Sequence, residues 1–232
     1  MASNTTVAVS SNQTGRVNLT NETFISVDGQ GIGNLTVAVR QSSGFAWTDS
    51  GTHSSGADDG AAYTGPVNYL QHEYIWSGHD GRAVATSTSN VFIHGGAGDD
   101  AISVTSGSNV LDGGGGSNFL TGGRGDDGGT DTFFVDVRGG QTVWDTVINF
   151  HRGDAVTIWG FRPGITLMNW SENEGAAGSQ GATLHAEING AGTGVNASVT
   201  FAGLSVTEAQ TKLGISNGSV GDNSYMYMHH DG

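Results

Sequence analysis

Glycines and oxygen-bearing side chains recur at a regular spacing in the middle of this 232-residue chain. Residues 95–103 read Gly-Gly-Ala-Gly-Asp-Asp-Ala-Ile-Ser, a nonapeptide with glycine at positions one, two and four, an acidic residue at six and a large apolar one at eight. Glycines allow tight turns with positive φ, which point carbonyl oxygens inward. Carbonyl and carboxylate oxygens are the ligands that calcium prefers. The chemistry that this segment predicts is the binding of a hard cation.

The same nonapeptide continues in register over four units. Residues 104–112 keep only the glycine at position four, Gly107, whereas residues 113–121 keep all three glycines. Both units keep the apolar eighth position but have asparagine at position six, Asn109 and Asn118, and a fourth unit opens at Gly122. Large apolar residues recur every nine residues, at Val84, Ile93, Ile102, Leu111 and Leu120. A period this regular is typical of a repeat architecture in which each apolar residue lies in a short strand that faces the core.

The motif resembles the hemolysin-type calcium-binding repeat family, also called RTX, over about residues 78–161. The resemblance implies a β-roll in which two nonapeptides form one coil and calcium lies between successive coils. It implies that sixth positions two repeats apart share an ion, which pairs Asp100 with Asn118, and Asn109 with either Asp127 or Asp131. The glycines whose carbonyls it implies as further ligands are Gly96, Gly98, Gly114, Gly116 and Gly123.

The chain departs from the family pattern in ways that should weaken calcium binding. Asn109 and Asn118 each lack the negative charge of aspartate, and four extra residues separate Asp127 from the next matching unit. Residues 77–94 keep only the apolar spacing and have Arg82 and Val91 where ligands would fall. We therefore expect these residues to form a turn of the β-roll that binds no metal. The prediction is about two or three calcium ions.

The overall charge also favours a cation as partner. The chain has 22 acidic and 8 basic residues, for a formal net charge of -14. Nucleic-acid and anionic-membrane surfaces require clustered lysine and arginine, and Lys212 is the only lysine. There is no cysteine and hence no disulfide, so we expect bound calcium to stabilise the fold instead.

The remaining sequence predicts an all-β protein with one helix. We expect an N-terminal β region over residues 1–76, the calcium-binding β-roll over 77–136 and a β cap over 137–232. Ser205 and Glu208 form a capping box that predicts a helix over 206–213. The last strand, at 225–228, should pack either its methionines or its tyrosines inward, with His229 and His230 trailing into solvent. The other strands predicted after the repeats lie at 132–137, 146–150, 155–159, 165–170, 182–188 and 197–201.

Two patterns suggest an enzyme only weakly, and we expect no catalytic activity. His72-Glu73 begins a zinc-protease motif, but Trp76 stands where its second histidine would fall. Glu172 and Glu174 are a close carboxylate pair of the kind that glycosidases use, but they lie in a setting more typical of a loop. No thiol nucleophile exists, and no serine lies in a nucleophile-elbow motif.

Two further patterns concern binding to other molecules. Some of the five tryptophans could form a platform for sugar rings, although core packing is the more common role; they are Trp47, Trp76, Trp144, Trp159 and Trp170. The Arg124-Gly125-Asp126 tripeptide is one that integrins read, but the repeat itself requires Gly125, so chance explains it better.

The function predicted is that of an extracellular calcium-binding structural or adhesive protein that folds, and in one version self-assembles into a layer or filament, when it meets calcium outside the cell. The RTX resemblance implies export from a Gram-negative cell through a type I channel, with an uncleaved signal in the C-terminal region; residues 1–30 lack the features of a cleaved signal peptide. The alternatives are a glycan-binding module, or an accessory or secretion domain of a larger secreted enzyme.

Overall fold

The computed structural model describes residues 91–220 and 223–232, together with the backbone of four earlier strands. These strands are β1 (Phe24–Gly29), β2 (Gly33–Val39), β3 (His72–Ser77) and β4 (Ala83–Thr86). The rest of the N-terminal β region expected over residues 1–76 lies outside the described residues. So does the Asp58-Asp59 pair, a pattern more typical of a solvated loop than of an ion site.

A two-sheet parallel roll forms the centre of the molecule. Its further strands are β5 (Val91–His94), β6 (Ala101–Val104), β7 (Val110–Asp112), β8 (Gly116–Thr121), β9 (Thr132–Asp136), β10 (Val143–Ile148) and β11 (Ala155–Trp159). Odd-numbered strands from β3 to β11 pair in parallel in one sheet, and even-numbered strands from β4 to β10 in the other. Each coil of the chain therefore contributes one strand to each sheet, and the predicted all-β roll is confirmed.

The apolar residues that recur every nine positions lie opposite one another in neighbouring parallel strands. Val84 lies opposite Ile102, and Ile102 lies opposite Leu120, in one sheet. Ile93 lies opposite Leu111 in the other. Among these, the side chains from Ile93 onward are almost completely buried, so one apolar residue per half-coil fills the space between the sheets.

Longer turns enter after residue 121 without disturbing the parallel pairing. Leu111 lies opposite Phe133, and Leu120 lies opposite Val147. The parallel ladder then continues past residue 136, because Phe133 lies opposite Val156. The extra residues lie in the turns, so the core positions remain aligned.

Antiparallel strands extend both sheets beyond the roll. Strands β12 (Leu167–Glu174), β13 (Gly181–Glu187) and β14 (Ala197–Ala202) continue the even sheet, in the order β12-β13-β14-β10-β8-β6-β4. Strands β15 (Leu213–Val220) and β16 (Asn223–His230) continue the odd sheet, in the order β1-β2-β3-β5-β7-β9-β11-β16-β15. Every strand predicted after the repeats is present, β11 with the predicted ends and the others with shifted ends, and β15 was not predicted.

The one helix in the described part of the chain, α1 (Val206–Lys212), confirms the capping prediction. The Ser205 hydroxyl accepts a hydrogen bond from the Glu208 N–H, and the Glu208 carboxylate accepts one from the Ser205 N–H at 3.0 Å. Two backbone donors at the start of the helix are thereby satisfied. No helix in the described part of the chain is long and apolar enough to cross a bilayer.

Strand β16 packs its methionines inward. Met226 and Met228 are fully buried, whereas Tyr225 and Tyr227 are partly exposed. The prediction that His230 trails into solvent was wrong, because β16 continues past residue 228, pairing with β11 through His229 and with β15 through His230. The His230 side chain is only 8% exposed, and its ring centroid lies 5.6 Å from that of Phe150.

Candidate metal centre

Polar side chains line the two edges of the roll, where the chain turns from one sheet to the other. We call the turns that lead into β6, β8 and β10 the first edge, and the turns that lead into β7, β9 and β11 the second edge. On the first edge the aligned residues are Asp100, Asn118 and Asp145, and on the second edge they are Asn109, Asp131 and Asp154. All six are buried, so the sequence places a polar ladder inside each edge.

Hydrogen bonds connect the first ladder along the stack. The Asp100 N–H donates to Asn118 Oδ1 at 2.9 Å, and Asn118 Nδ2 donates to Asp145 Oδ1 at 2.8 Å. The structure thus brings Asp100 and Asn118 together in the pairing that the resemblance implied. It adds Asp145 as the third member of the same ladder.

A third acidic group, Asp112, lies near this ladder. Asp112 is buried at the end of β7, where its Oδ1 accepts a hydrogen bond from the Gly114 N–H at 2.7 Å. Its Oδ2 lies 2.9 Å from His94 Nδ1. The first edge therefore combines three buried carboxyl groups, those of Asp100, Asp112 and Asp145.

The surroundings of Asp145 destabilise its charged form. Burial raises the pKa of Asp145 well above its ordinary value, the negative charges of Asp112 and Asp100 raise it further, and the hydrogen bond from Asn118 opposes them. Asp145 Oδ2 is buried and has no hydrogen-bond partner. A buried carboxylate in this position requires either a proton or a nearby cation.

The second ladder shows which of two aspartates pairs with Asn109. Asn109 Nδ2 donates to Asp131 Oδ1 at 2.7 Å, and the Asn109 N–H donates to the same oxygen at 3.1 Å. The Asp131 N–H in turn donates to Asp154 Oδ1 at 2.8 Å. At the other end, Asn109 Oδ1 accepts a hydrogen bond from the Val91 N–H at 3.1 Å.

Asp127 lies outside this ladder on the exposed surface of the second edge. Its Oδ2 accepts a hydrogen bond from the Gly107 N–H at 2.6 Å, and its Oδ1 accepts one from the Gly129 N–H at 3.0 Å. These backbone hydrogen bonds lower the pKa of Asp127. The structure therefore separates Asp127 from Asn109 and gives the former a role in joining two turns.

The end of the second ladder contains an imidazole. His151 Nδ1 lies 2.8 Å from Asp154 Oδ2, and His151 Nε2 lies 2.7 Å from the Gly123 carbonyl oxygen. Burial raises the pKa of Asp154 to about 6, with a smaller contribution from the charge of Asp131. Burial likewise raises the pKa of Asp131, against hydrogen bonds from Asn109 and Gly123. Both carboxyl groups therefore resist ionisation in the absence of a cation.

The repeat glycines let successive turns of the first edge stack closely. Gly114 and Gly116 have φ values of +78° and +83°, and the Gly96 carbonyl accepts a hydrogen bond from the Gly115 N–H at 2.7 Å. A Cβ atom at Gly114 would overlap the Gly96 carbonyl oxygen, and one at Gly116 would lie 2.5 Å from the Gly98 oxygen. Only glycine fits these positions, because the next backbone occupies the space of a side chain.

The donor set fits calcium when backbone oxygens are included. Within residues 91–220 and 223–232, no three histidine, aspartate or glutamate side chains converge closely enough to hold an ion by themselves. Calcium takes six to eight oxygens, and carbonyls supply many of them in protein sites. Asp145 Oδ2, which lacks a hydrogen-bond partner, is a candidate oxygen for such an ion. The residues present are therefore chemically suited to calcium.

Three acidic members of these ladders were not among the residues that the sequence predicted. Asp112 occupies the last position of its nonapeptide, a place with no ligand role in the motif. Asp145 follows Asn118 by 27 residues, and Asp154 follows Asp131 by 23 residues, instead of the regular 18. The longer turns before Asp145 and Asp154 move these two residues out of the regular spacing on which the prediction depended. The strands predicted after the repeats were the available signal for two of these residues, because Asp145 lies in one such strand and Asp154 directly precedes another.

The acidic pair considered for glycoside hydrolysis has other partners. Glu172 Oε2 accepts a hydrogen bond from the Val206 N–H at 2.9 Å, at the start of α1. Glu174 Oε2 lies 2.6 Å from His185 Nε2. Each carboxylate thus contacts a neighbouring element of the cap.

The tryptophans differ in their surroundings. Trp159 is fully buried against Phe134, and Trp170 is partly buried against Phe201. Trp144 is partly exposed, and its indole N–H donates to Thr200 Oγ1 at 2.9 Å. Trp47 and the side chain of Trp76 lie outside the described residues. Core packing therefore accounts for Trp159, whereas Trp144 remains available for contact with a ligand.

Comparison with known proteins identifies the repeat. The family model of the RTX calcium-binding nonapeptide repeat (4 copies) matches residues 84–104 and 94–128. No curated protein and no solved structure matches the chain. The matched segment covers the coils that carry Asp100, Asn109 and Asn118, so these turns belong to a calcium-binding repeat.

Proposed function

We propose that the RTX calcium-binding repeats of this chain make calcium a structural part of the fold, so that the ion converts a weakly stable chain into a rigid β-roll. The ligands proposed on the first edge are the side chains of Asp100, Asn118 and Asp145 with carbonyls of the repeat glycines. On the second edge they are Asn109, Asp131 and Asp154, with Asp127 as an outer ligand. Two or three ions would occupy these edges.

The observation that supports this proposal most is the buried acidic group on the first edge. Asp145 is fully buried, and the charges of Asp112 and Asp100 add to the cost of ionising it. Without a cation the folded chain must either protonate these groups or tolerate their repulsion. Calcium supplies a double positive charge that stabilises the ionised carboxylates, and binding to the folded state alone stabilises that state.

The test is a comparison of folding with and without calcium. Circular dichroism and thermal unfolding in a chelator and in millimolar calcium should show a large rise in Tm with the ion. Asp145→Asn should reduce that rise strongly, whereas Asp126→Asn, at an exposed position of the fourth repeat, should leave it unchanged. Equal Tm values with and without calcium in the wild-type chain would overturn the proposal.

We place this folding step outside the cell. Cytosolic calcium is scarce compared with the millimolar concentration outside, so weakened sites of this kind would be empty before export and filled after it. The absence of cysteine is compatible with a protein in which calcium takes over the role of disulfides. The proposal is a secreted structural protein without catalytic activity, and detection of the native chain in the medium, folded and calcium-loaded, would test it.

Self-assembly of the folded chain is a further part of this proposal. The outermost cap strands, β12 and β15, leave one backbone edge unpaired among the described strands. Leu167, Met168 and Ile215 on these strands are about half exposed. Unpaired edges with apolar side chains favour association between copies. Light scattering should then rise with calcium, and a monomer at millimolar calcium would contradict assembly.

A glycan-binding role is the second candidate, because one aromatic cleft favours it. A cavity of about 250 Å³ lies on the outer face of the even sheet, bordered by Phe119, Trp144, Thr146 and the turn at 175–176. The hydrogen bond to Thr200 fixes the orientation of the Trp144 ring. Binding to neutral glycans that Trp144→Ala abolishes would support this role, and a blank glycan array would count against it.

A further inference from the structure

A polar cavity of about 260 Å³ lies where the roll meets the cap, away from the aromatic cleft. Three turns and one strand enclose it: the β9–β10 turn with Arg138, the turn after β11 with Arg162, the β13–β14 loop with Asn189 and Asn196, and Ser224 on β16. No carboxylate borders this cavity. Its lining therefore differs in charge from the rest of a strongly acidic chain.

Basic residues are concentrated there. Five lysine and arginine side chains lie in the region whose side chains the structure describes, and they are Arg124, Arg138, Arg152, Arg162 and Lys212. Two of the five, Arg138 and Arg162, border the one cavity. In a protein of net charge -14, such a pairing makes this the place where an anion would be least repelled.

Arg138 is held rigidly at the wall of the cavity. Its Nε and Nη2 donate to the two oxygens of the buried Asp136 at 2.9 and 2.7 Å. The guanidinium carbon lies 5.0 Å from the Trp159 ring centroid, in a cation–π contact. The wall is thus preorganised, which lowers the entropic cost of binding a ligand against it.

Arg138 also occupies a turn equivalent to a repeat turn. Its N–H donates to Asp136 Oδ1 at 2.9 Å, two residues back, as the Gly114 N–H donates to Asp112 Oδ1 at 2.7 Å. Asp112 contacts the imidazole of His94, whereas Asp136 contacts the guanidinium of Arg138. Along the first edge, the turn that leads into β8 is therefore acidic, whereas the turn that leads into β10 carries a basic residue.

The net charge of the lining indicates the class of ligand. Asp136 neutralises Arg138, which leaves the exposed Arg162 as the uncompensated charge. A single carboxylate matches the charge of one guanidinium better than a doubly charged phosphate does, and it can accept two parallel hydrogen bonds from it. The Asn189 and Asn196 amides and the Ser224 hydroxyl offer uncharged partners for ligand hydroxyls. A volume near 260 Å³ is below the usual range of about 300–1,000 Å³ for drug-sized ligands, so it suits one ring.

We propose that this cavity binds a hydroxylated carboxylate about the size of one sugar ring, with Arg162 as the charged anchor. The ligand would be either a free sugar acid or one residue of an acidic polysaccharide, and both present the same carboxylate and hydroxyl groups. This site is independent of the calcium ladders, because none of their residues borders it.

The test is a titration of the calcium-loaded full chain with galacturonate, a short oligogalacturonate and neutral galactose, followed by NMR chemical shifts and calorimetry. We expect galacturonate or its oligomer to bind and galactose to bind at least about tenfold more weakly. Binding of the monomer would identify a free acid as sufficient, and binding of the oligomer alone would identify a polysaccharide residue.

Two arginine variants complete the test. Arg162→Ala should weaken binding by about tenfold or more, and Arg124→Ala, an exposed arginine of a repeat turn, should not. Circular dichroism in calcium checks that both variants are folded. Equal binding of galactose and galacturonate, equal affinity of the two variants, or no binding of either acid would overturn the proposal.

Discussion

Asn118 donates its side-chain amide to the buried carboxyl of Asp145 over 2.8 Å, and through this bond a neutral residue lies between two acidic ones, Asp100 and Asp145. Asparagine provides both an oxygen for the coil before it and an N–H for the coil after it. Its position explains how the stack tolerates an acidic ladder with few ions. On the second edge Asn109 likewise donates to Asp131, but its side-chain oxygen accepts from the Val91 N–H, so it has one acidic neighbour instead of two.

Asn118→Asp should make the roll more dependent on calcium. The change removes the N–H that stabilises Asp145 and adds a third negative charge to a buried row. We expect a loss of about 3–5 kcal/mol in chelator, because a buried charge is left uncompensated. In calcium the extra carboxylate should increase affinity. Urea unfolding with and without the ion measures both effects.

The matched control for this change is Asn169→Asp on the exposed strand β12. It introduces the same charge at the surface, where the effect on the free energy of unfolding should be within about 0.5 kcal/mol under both conditions. If Asn118→Asp behaves like this control, Asn118 has no part in the calcium ladder.

Asp145→Asn should separate the stability of the free fold from the response to calcium. The amide keeps the oxygen that accepts from Asn118 and removes a carboxyl whose pKa is already raised by burial and by Asp112 and Asp100. Stability in chelator should not fall, while calcium affinity should fall about tenfold or more. Differential scanning calorimetry at several calcium concentrations gives both values. Unfolding of this variant in chelator, under conditions where the wild type is folded, would contradict the prediction.

Asp154 should contribute a defined part of the pH dependence of the calcium-free fold, beside Asp131 and Asp145, whose pKa values are also raised. The pKa of Asp154 is raised to about 6, so the folded state holds a proton that the unfolded state releases near pH 4. The stability that this group contributes is present below pH 4 and is lost as the pH rises through about 6, a change of up to about 3 kcal/mol. Calcium affinity should rise over the same range, because binding releases the proton.

Asp154→Asn should flatten that dependence, and Asp126→Asn should leave it as in the wild type. Proton release on calcium binding, measured by calorimetry in buffers of different ionisation enthalpy, should decrease in the Asp154 variant alone. A calcium affinity that is constant between pH 5 and pH 7 would contradict the assignment.

A pair of glycine substitutions should separate backbone strain from the close contact between coils. Gly114 and Gly164 have nearly equal φ values of +78° and +77°. A Cβ at Gly114 would overlap the Gly96 carbonyl oxygen, whereas nothing lies within 4 Å of one at Gly164. Gly164→Ala should cost about 1–2 kcal/mol from strain alone. Gly114→Ala should cost clearly more and also lower calcium affinity, and equal losses in urea unfolding would show that the contact is unimportant.

The repeat itself was readable from sequence because its chemistry has a fixed period. The apolar residues Ile93, Ile102, Leu111 and Leu120 lie in the predicted faces, since an alternating strand with one large residue per nonapeptide allows one inward arrangement. The capping box at Ser205 was equally readable, because both of its hydrogen bonds are local. Local patterns of this kind require no knowledge of the tertiary fold.

Features that depend on distant residues were not readable. Asp145 enters the first ladder across 27 residues, and no local signal specifies which later strand lies on Asn118. The choice of Asp131 over Asp127 depends on how the longer turn at 122–131 closes. His230 was expected in solvent because only its pairing with Leu213 of the distant strand β15 extends β16 that far.

The alignment of the ladder residues also bears on how such chains change in length during evolution. Asp100, Asp131 and Asp154 each stand directly before a strand, so residues added earlier in a turn leave both the carboxyl and the following strand in place. Coil lengths of 18, 22 and 23 residues coexist in this molecule for that reason. Insertions at the two edges could therefore supply new surface loops, and new specificities, to a lineage whose ion-binding interior stays the same.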